Sequence, residues 1–257
     1  MKRLLKYLLG KLGYRVVNLR AEPPPPPQAP VEFSKEDSSI VEYVLRHKLT
    51  MVGRERLYAT LLACKHVVSQ GIAGDFVECG VWRGGNALIA AKLFARLGTG
   101  RRTYLFDTFA GMTEPSPEDI RARDGREAMI DYLAGQKEAH NEWCYASLED
   151  VQRTFADAGL LSADIRFVQG DVAGSLRSEA NLPKRIAVLR LDTDWYESTR
   201  VELEVLYPRL SPGGVLIIDD YGHWGGAKKA VDEYFKDHPR PLLQYTDYTG
   251  RMGVKPL

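Results

Sequence analysis

DFVECGVWRGGNALIAAKLFARL, residues 75–97, decides the fold. It opens as a short apolar run, DFVEC, closed by the acid Glu78 and Cys79. Gly80, Gly84 and Gly85 follow within six positions, and from Asn86 to Leu97 the apolar residues recur at helical spacing. Strand, glycine turn and helix in that order form the first half of a strand–helix–strand unit. Gly80 and Gly84 let the backbone approach a ligand closely, and Gly85 lets the helix begin beside the strand. A helix N-terminus placed there favours a negative group such as a ligand carboxylate. The spacing is not GxGxxG, which argues against a dinucleotide site.

Working outward, the pattern repeats. RTYLF (102–106), DIRFV (164–168), RIAVLRL (185–191) and GVLII (214–218) read as strands. Leu148–Ala158, Glu197–Leu206 and Gly226–Phe235 read as the helices between them. Upstream, Glu36–His47, with Ser34 as N-cap, and Glu55–Ser69 read as amphipathic helices. Alternating strands and helices predict an α/β fold with a mostly parallel sheet covered on both faces. The last segment, LLQYTDYTGRMGVKPL, reads as a C-terminal antiparallel hairpin turning at DYTG. The interval 108–146 holds no strand, only a short helical stretch near Glu127–Leu133. It follows the second strand, at the sheet edge where ligands bind, and reads as a substrate-facing lid.

Acids punctuate the strand ends. Asp107, followed by Thr108, ends the second strand, where a carboxylate can accept from both hydroxyls of a ribose. Asp171 follows the third, placed to accept from an adenine amino group. Asp192 and Asp194 follow the fourth strand, and Asp219 and Asp220 the fifth. Adjacent parallel strands bring Asp192, Asp219 and Asp220 to one edge. Three unpaired carboxylates there would repel one another. A hard divalent cation, Mg²⁺ or Ca²⁺, removes that cost, whereas without one the aspartates are turn formers and helix caps. Asp194, two positions from Asp192, reads as a supporting or capping group. His140, at the end of the insertion, and His223, just past the Asp pair, are candidate general bases.

GDFVECGVWRGG (74–85), YLFDTFAGM (104–112), LRLDTDWYEST (189–199) and SPGGVLIIDDYGHWGGAKKAVDEYF (211–235) together resemble the macrocin O-methyltransferase family, over roughly residues 35–257. The resemblance implies a Rossmann-like class I methyltransferase fold with a seven-stranded sheet. It implies S-adenosylmethionine as methyl donor and an enzyme that methylates a sugar hydroxyl on a glycosylated natural product. It also implies that Glu78, Gly80 and the Gly84 turn hold the methionine end, that Asp107 holds the ribose, and that Mg²⁺ sits on Asp192, Asp219 and Asp220. The candidate cofactor-binding set is thus Glu78, Gly80, Val81, Trp82, Gly84, Asn86, Asp107, Thr108 and Asp171. Asp192, His140 and His223 are the candidate proton acceptors. The segment GHWGG after the Asp pair and the insertion carry no motif that names the acceptor. Rival readings are a metal-dependent catechol or phenol O-methyltransferase, a nicotinamide dehydrogenase, and a nucleotide-binding scaffold docked to a membrane.

Composition sets the outer limits. The 257 residues are 44% hydrophobic and 27% charged, with net charge +1, so no overall field draws in nucleic acid. Cys64, Cys79 and Cys144 have neither metal-ligand spacing nor an even disulfide pattern, which suits a reducing, cytoplasmic setting. Residues 1–20 are basic and amphipathic, with Leu4, Leu5, Leu8 and Leu12 at helical spacing. They are too charged to span a bilayer and lack a signal-peptide pattern. A packing helix, in the chain or in a homo-oligomer, and a peripheral helix at the inner membrane face both stay open. Pro23 to Pro27 predict a stiff spacer, so the expected division is 1–30, helix and linker, and 31–257, catalytic domain.

Overall fold

The computed structural model describes residues 7, 9–11, 13 and 29–257. The proline run, and the amphipathic segment apart from those few positions, lie outside the described residues. The chain divides into Met1–Phe33 and Ser34–Leu257, and the second unit carries the whole sheet. Among the described residues, no helix is long and apolar enough to cross a membrane.

Two helices lead into the sheet. α1 (Lys35–Arg46) begins at Ser34, whose hydroxyl accepts from the Asp37 amide while the Asp37 carboxylate accepts from the Ser34 amide. This reciprocal cap fixes the first turn. α2 (Arg54–Ser69) follows. The alternation then runs β1 (Asp75–Cys79), α3 (Gly85–Arg96), β2 (Thr103–Asp107), α4 (Ala128–Gly135), α5 (Leu148–Asp157), β3 (Ile165–Gln169), the single turn α6 (Val172–Ser175), β4 (Ile186–Leu191), α7 (Tyr196–Leu206), β5 (Leu210–Ile218), α8 (Gly225–Tyr234), β6 (Gln244–Tyr245) and β7 (Arg251–Val254).

The sheet order is β3-β2-β1-β4-β5-β7-β6. The first five strands are parallel, and β7 runs antiparallel to β5 and to β6. The expected architecture is therefore present, hairpin included. Every expected strand or helix between Ser34 and Phe235 begins and ends within one residue of its place, except β5 and the short helix in the insertion, which runs two residues past Leu133 to Gly135. β5 reaches back to Leu210, because Leu210 pairs with Ile186 and Val215 with Val188, and the residues between bulge out around Pro212 and Gly213. β4 is buried along its whole length, as a central strand covered on both faces must be. Strand order reverses between β1 and β4, so a crevice opens at their carboxyl ends.

The insertion 108–146 lies against that crevice and is pinned in several places. The Ala122 amide donates to the His223 carbonyl, and the Gly225 amide to the Ile120 carbonyl. The Trp195 indole donates to the Thr113 carbonyl at 3.0 Å. Buried Asp119 accepts from the Ser116 amide and hydroxyl and, at 2.8 Å, from the Tyr196 amide at the start of α7. One carboxylate thus ties the insertion to an otherwise open helix end. Asp119→Ala leaves the Tyr196 and Ser116 donors without a partner. We expect it to lower unfolding free energy by about 1–3 kcal/mol in urea titration. Wild-type stability would contradict this anchoring.

Candidate active site

The glycine turn after β1 is built on strain that only its sequence tolerates. Gly80 has φ 81°, and a Cβ there would lie 1.9 Å from the Asp192 carbonyl oxygen. The turn therefore presses directly on the loop after β4. Asp107 staples the turn to the end of β2. One of its oxygens accepts from the Val81 and Trp82 amides at 2.6 and 3.1 Å, and the other from the Phe109 amide at 2.7 Å. Burial pushes its pKa up, and these amide bonds pull back. Glu78 lies beneath the turn, accepting from the Ala87 amide of α3 at 3.1 Å and from Arg190 at 2.8 Å. Its burial outweighs Arg190 and raises its pKa to about 7.

Around the crevice wall, Gly80, Val81, Trp82, Asn86, Asp107, Thr108 and Asp171 all take a place, and the buried Glu78 reaches it from below. The Asn86 side-chain oxygen accepts from Thr60, the Thr108 hydroxyl donates to the Gly111 carbonyl, and Asp171 caps α6 through the Ala173 amide. Gly84 does not line the wall. Its φ of 86° starts α3, and a Cβ there would face Phe155, so packing and helix entry account for it. Of the five described non-glycine residues with positive φ, Trp82, Cys144 and Asp194 line the crevice, where such strain tends to collect.

At the other end, carboxylate oxygens of Asp192, Asp219 and Asp220 lie within 4.8 Å of one another. Arg190 rises from inside β4 to meet them, with one nitrogen 2.6 Å from Asp192 and another on Asp219. Arg56 of α2 also donates to Asp219 and pairs with Asp247 at 3.0 Å. Six carboxylates (Glu78, Asp192, Asp194, Asp219, Asp220 and Asp247) thus face two guanidiniums. The excess bears on their protonation. Burial, then the neighbouring acids, push Asp192 and Asp220 well above the carboxylate range, and Asp194 to about 8. One oxygen of Asp220 is buried and has no hydrogen-bond partner among the described residues. Such a donor set, oxygen-only and short of positive charge, fits a hard divalent cation.

His223 reaches this end of the crevice. Its Nδ1 lies 2.9 Å from the Tyr248 hydroxyl, and burial together with Arg121 lowers its pKa, so the ring is neutral near pH 7. His140 does not reach it. The bridge between Gln136 and Asn141 closes a turn that carries His140 off the wall, where it stacks on Tyr145 at 4.3 Å. Three features escape a reading of motifs alone: Arg190, Arg56, and the aromatic group of Trp143, Trp195 and Trp224. A signal existed for Arg190, since a charge inside RIAVLRL must find partners if that strand is central.

The macrocin-O-methyltransferase family model matches residues 27–250. The chain is 41% identical over 186 residues to the 8-demethyl-8-(2,3-dimethoxy-alpha-L-rhamnosyl)-tetracenomycin-C 4'-O-methyltransferase of Streptomyces olivaceus, covering 72% of this chain and 67% of that one. It is 35% identical to the demethyldecarbamoylnovobiocin O-methyltransferase of Streptomyces niveus, covering 79% and 76%. The solved structure of the O-methyltransferase NovP superposes with a TM-score of 0.69 at 32% identity, over 81% of this chain and 82% of that chain.

Glu202 of α7 supports the loop after β4, accepting from the Thr193 hydroxyl at 2.8 Å. It is fully buried, and that burial outweighs its hydrogen bond with Thr193 and raises its pKa to about 8. The native state therefore holds a proton that the unfolded chain releases near pH 4.5. Stability from this group is complete below that pH and is lost as pH rises to 8, with a slope of up to about 1.4 kcal/mol per pH unit. Glu202→Gln should flatten the fall in unfolding free energy between pH 5 and 8. An unchanged pH profile would contradict the buried neutral acid.

Proposed function

Because the chain belongs to the macrocin O-methyltransferase family, and is thus an S-adenosylmethionine-dependent O-methyltransferase, we propose that it methylates a sugar hydroxyl of a glycosylated natural product with Mg²⁺ at Asp192, Asp219 and Asp220. The cluster of three carboxylates with an unpartnered buried oxygen on Asp220 carries this reading. Relatives named for rhamnosyl-tetracenomycin, novobiocin and mycinamicin substrates support the acceptor class.

The division of labour follows the crevice. The turn from Gly80 to Trp82, above Glu78 and at the N-terminus of α3, receives the amino-acid end of the donor. Asp107 receives the ribose and Asp171 the adenine. The bound donor supplies an electrophilic methyl on a sulfonium. A divalent cation at the aspartates supplies Lewis acidity, which makes a hydroxyl there easier to deprotonate. Asp192, whose side chain is 26% exposed, would be ionised with a cation beside it and could then take the proton. Neutral His223 is the alternative acceptor. The turn and the loop after β4, pressed together at Gly80, hold donor and acceptor in a fixed relation, so most of the rate comes from positioning. The aromatic wall at Trp143 and Trp224 also suits a catechol, which makes a phenolic acceptor the second reading.

With a rhamnosyl glycoside as acceptor, turnover should vanish in excess chelator and return with Mg²⁺. Asp192→Asn and Asp219→Asn should abolish turnover yet bind S-adenosylhomocysteine by calorimetry, with Asp194→Asn milder. Full turnover in excess chelator would contradict the metal assignment. Asp107→Ala should weaken S-adenosylhomocysteine binding by about 1–3 kcal/mol, the cost of orphaning polar partners. Unchanged affinity in a folded variant would remove the ribose role.

A further inference from the structure

Trp143 of the insertion meets Trp195 and Trp224, from the starts of α7 and α8, so three indoles surround one point. Trp195 and Trp224 are buried, 2% and 4% exposed, and their ring centroids lie 5.1 Å apart, edge to face. Both have spent their N–H groups: Trp195 on the Thr113 carbonyl, Trp224 on Asp194 at 2.7 Å. Trp143, the third, differs. Its centroid is 5.5 Å from Trp195 and 6.0 Å from Trp224, and both contacts are edge-wise or tilted. It is only partly buried, it lines the crevice, and among the described residues its ring N–H has no acceptor. The next residue, Cys144, sits at φ 55° and also lines the crevice. Through Trp224, whose N–H is on Asp194, Trp143 adjoins the carboxylate end of the crevice. Met51 and Tyr248, each 60% exposed, line the same crevice.

Trp195 and Trp224 are covered, so the apolar surface left open to the crevice is that of Trp143. Buried neighbours fix the Trp143 ring at little further entropy cost, as a binding platform requires. From this arrangement we propose that Trp143 is the stacking platform for the acceptor's sugar ring. The C–H face of a pyranose lies on the indole while hydroxyls on its edge turn toward Asp192 and Asp220, and Met51 and Tyr248 meet the apolar aglycone. This rests on the sugar O-methyltransferase reading and assigns it a specificity-determining residue. A polar pair of hydroxyls alone would be held by the acidic end; the indole selects the acceptor that also offers an apolar face.

The test uses the full chain labelled with 5-fluorotryptophan, saturated with S-adenosylhomocysteine and Mg²⁺ and titrated with p-nitrophenyl α-L-rhamnopyranoside. Trp143→Phe assigns one of the four tryptophan resonances. The Trp143 resonance should shift saturably. Trp143→Leu, which keeps an apolar contact with Trp195 and Trp224, should weaken glycoside binding at least tenfold. Its S-adenosylhomocysteine affinity should stay within twofold, and Trp143→Phe should recover most of the loss. Glycoside binding that leaves the Trp143 resonance in place, or equal affinity in Trp143→Leu, overturns the platform while the sugar reading stands. An equal loss of S-adenosylhomocysteine and glycoside also overturns it, since Trp143 would then be a packing residue. If the wild type binds no glycoside and methylates 4-nitrocatechol, the sugar reading falls and the platform with it.

Discussion

A guanidinium buried in the middle of a parallel sheet holds this crevice together. Arg190 is 1% exposed. Taking such a charge from water is costly unless its partners are close and well aimed. Glu78 at the end of β1, Asp192 after β4 and Asp219 after β5 all bond to it. Burial alone would strip its proton, but these carboxylates raise its pKa far above the usual arginine range. Three strand ends are thereby brought to one centre. Because Glu78 also accepts from the Ala87 amide of α3 and Gly80 leans on the Asp192 carbonyl, the glycine turn and the acidic loop are held together.

Two peripheral pieces complete the arrangement. The C-terminal hairpin reaches back to the acidic turn: the Thr249 hydroxyl donates to the Asp219 carbonyl at 2.6 Å, Asp247 pairs with Arg56, and Gly222 has room for no side chain beneath the Tyr248 carbonyl. The insertion closes the opposite side through Asp119 and the backbone pairing around His223. Sheet, hairpin and insertion each contribute to the acidic end of the crevice, whereas the glycine-turn end is built from the loops after β1, β2 and β3 with residues 49–52 beside Gly85.

How far each feature could be read from sequence depends on the range of its signal. Strands such as DFVEC and helices such as Leu148–Ala158 announce themselves by local period and caps, so they fell within a residue of their places. Asp107, Asp171, Asp192, Asp219 and Asp220 were legible because each lies at or just past a strand end, and parallel pairing sends all such ends to one edge. β5 began earlier than expected because a bulge at Pro212 and Gly213 hides its first pair. Side-chain direction was not legible. Arg190 points along the sheet to acids 112 and 29 positions away, Trp143 meets Trp195 and Trp224 across long gaps, and His140 turns outward. No local pattern encodes those meetings, which depend on how the insertion closes over the finished sheet.

Calorimetric titration of Arg190→Lys tests the account most directly, with folding checked by circular dichroism. Lysine keeps the charge but cannot fork between Glu78, Asp192 and Asp219. If one guanidinium sets both ends of the crevice, S-adenosylhomocysteine and Mg²⁺ should each bind at least tenfold more weakly in the folded variant. Wild-type affinity for S-adenosylhomocysteine, with only the cation affected, would contradict the coupling and make the two ends separate sites.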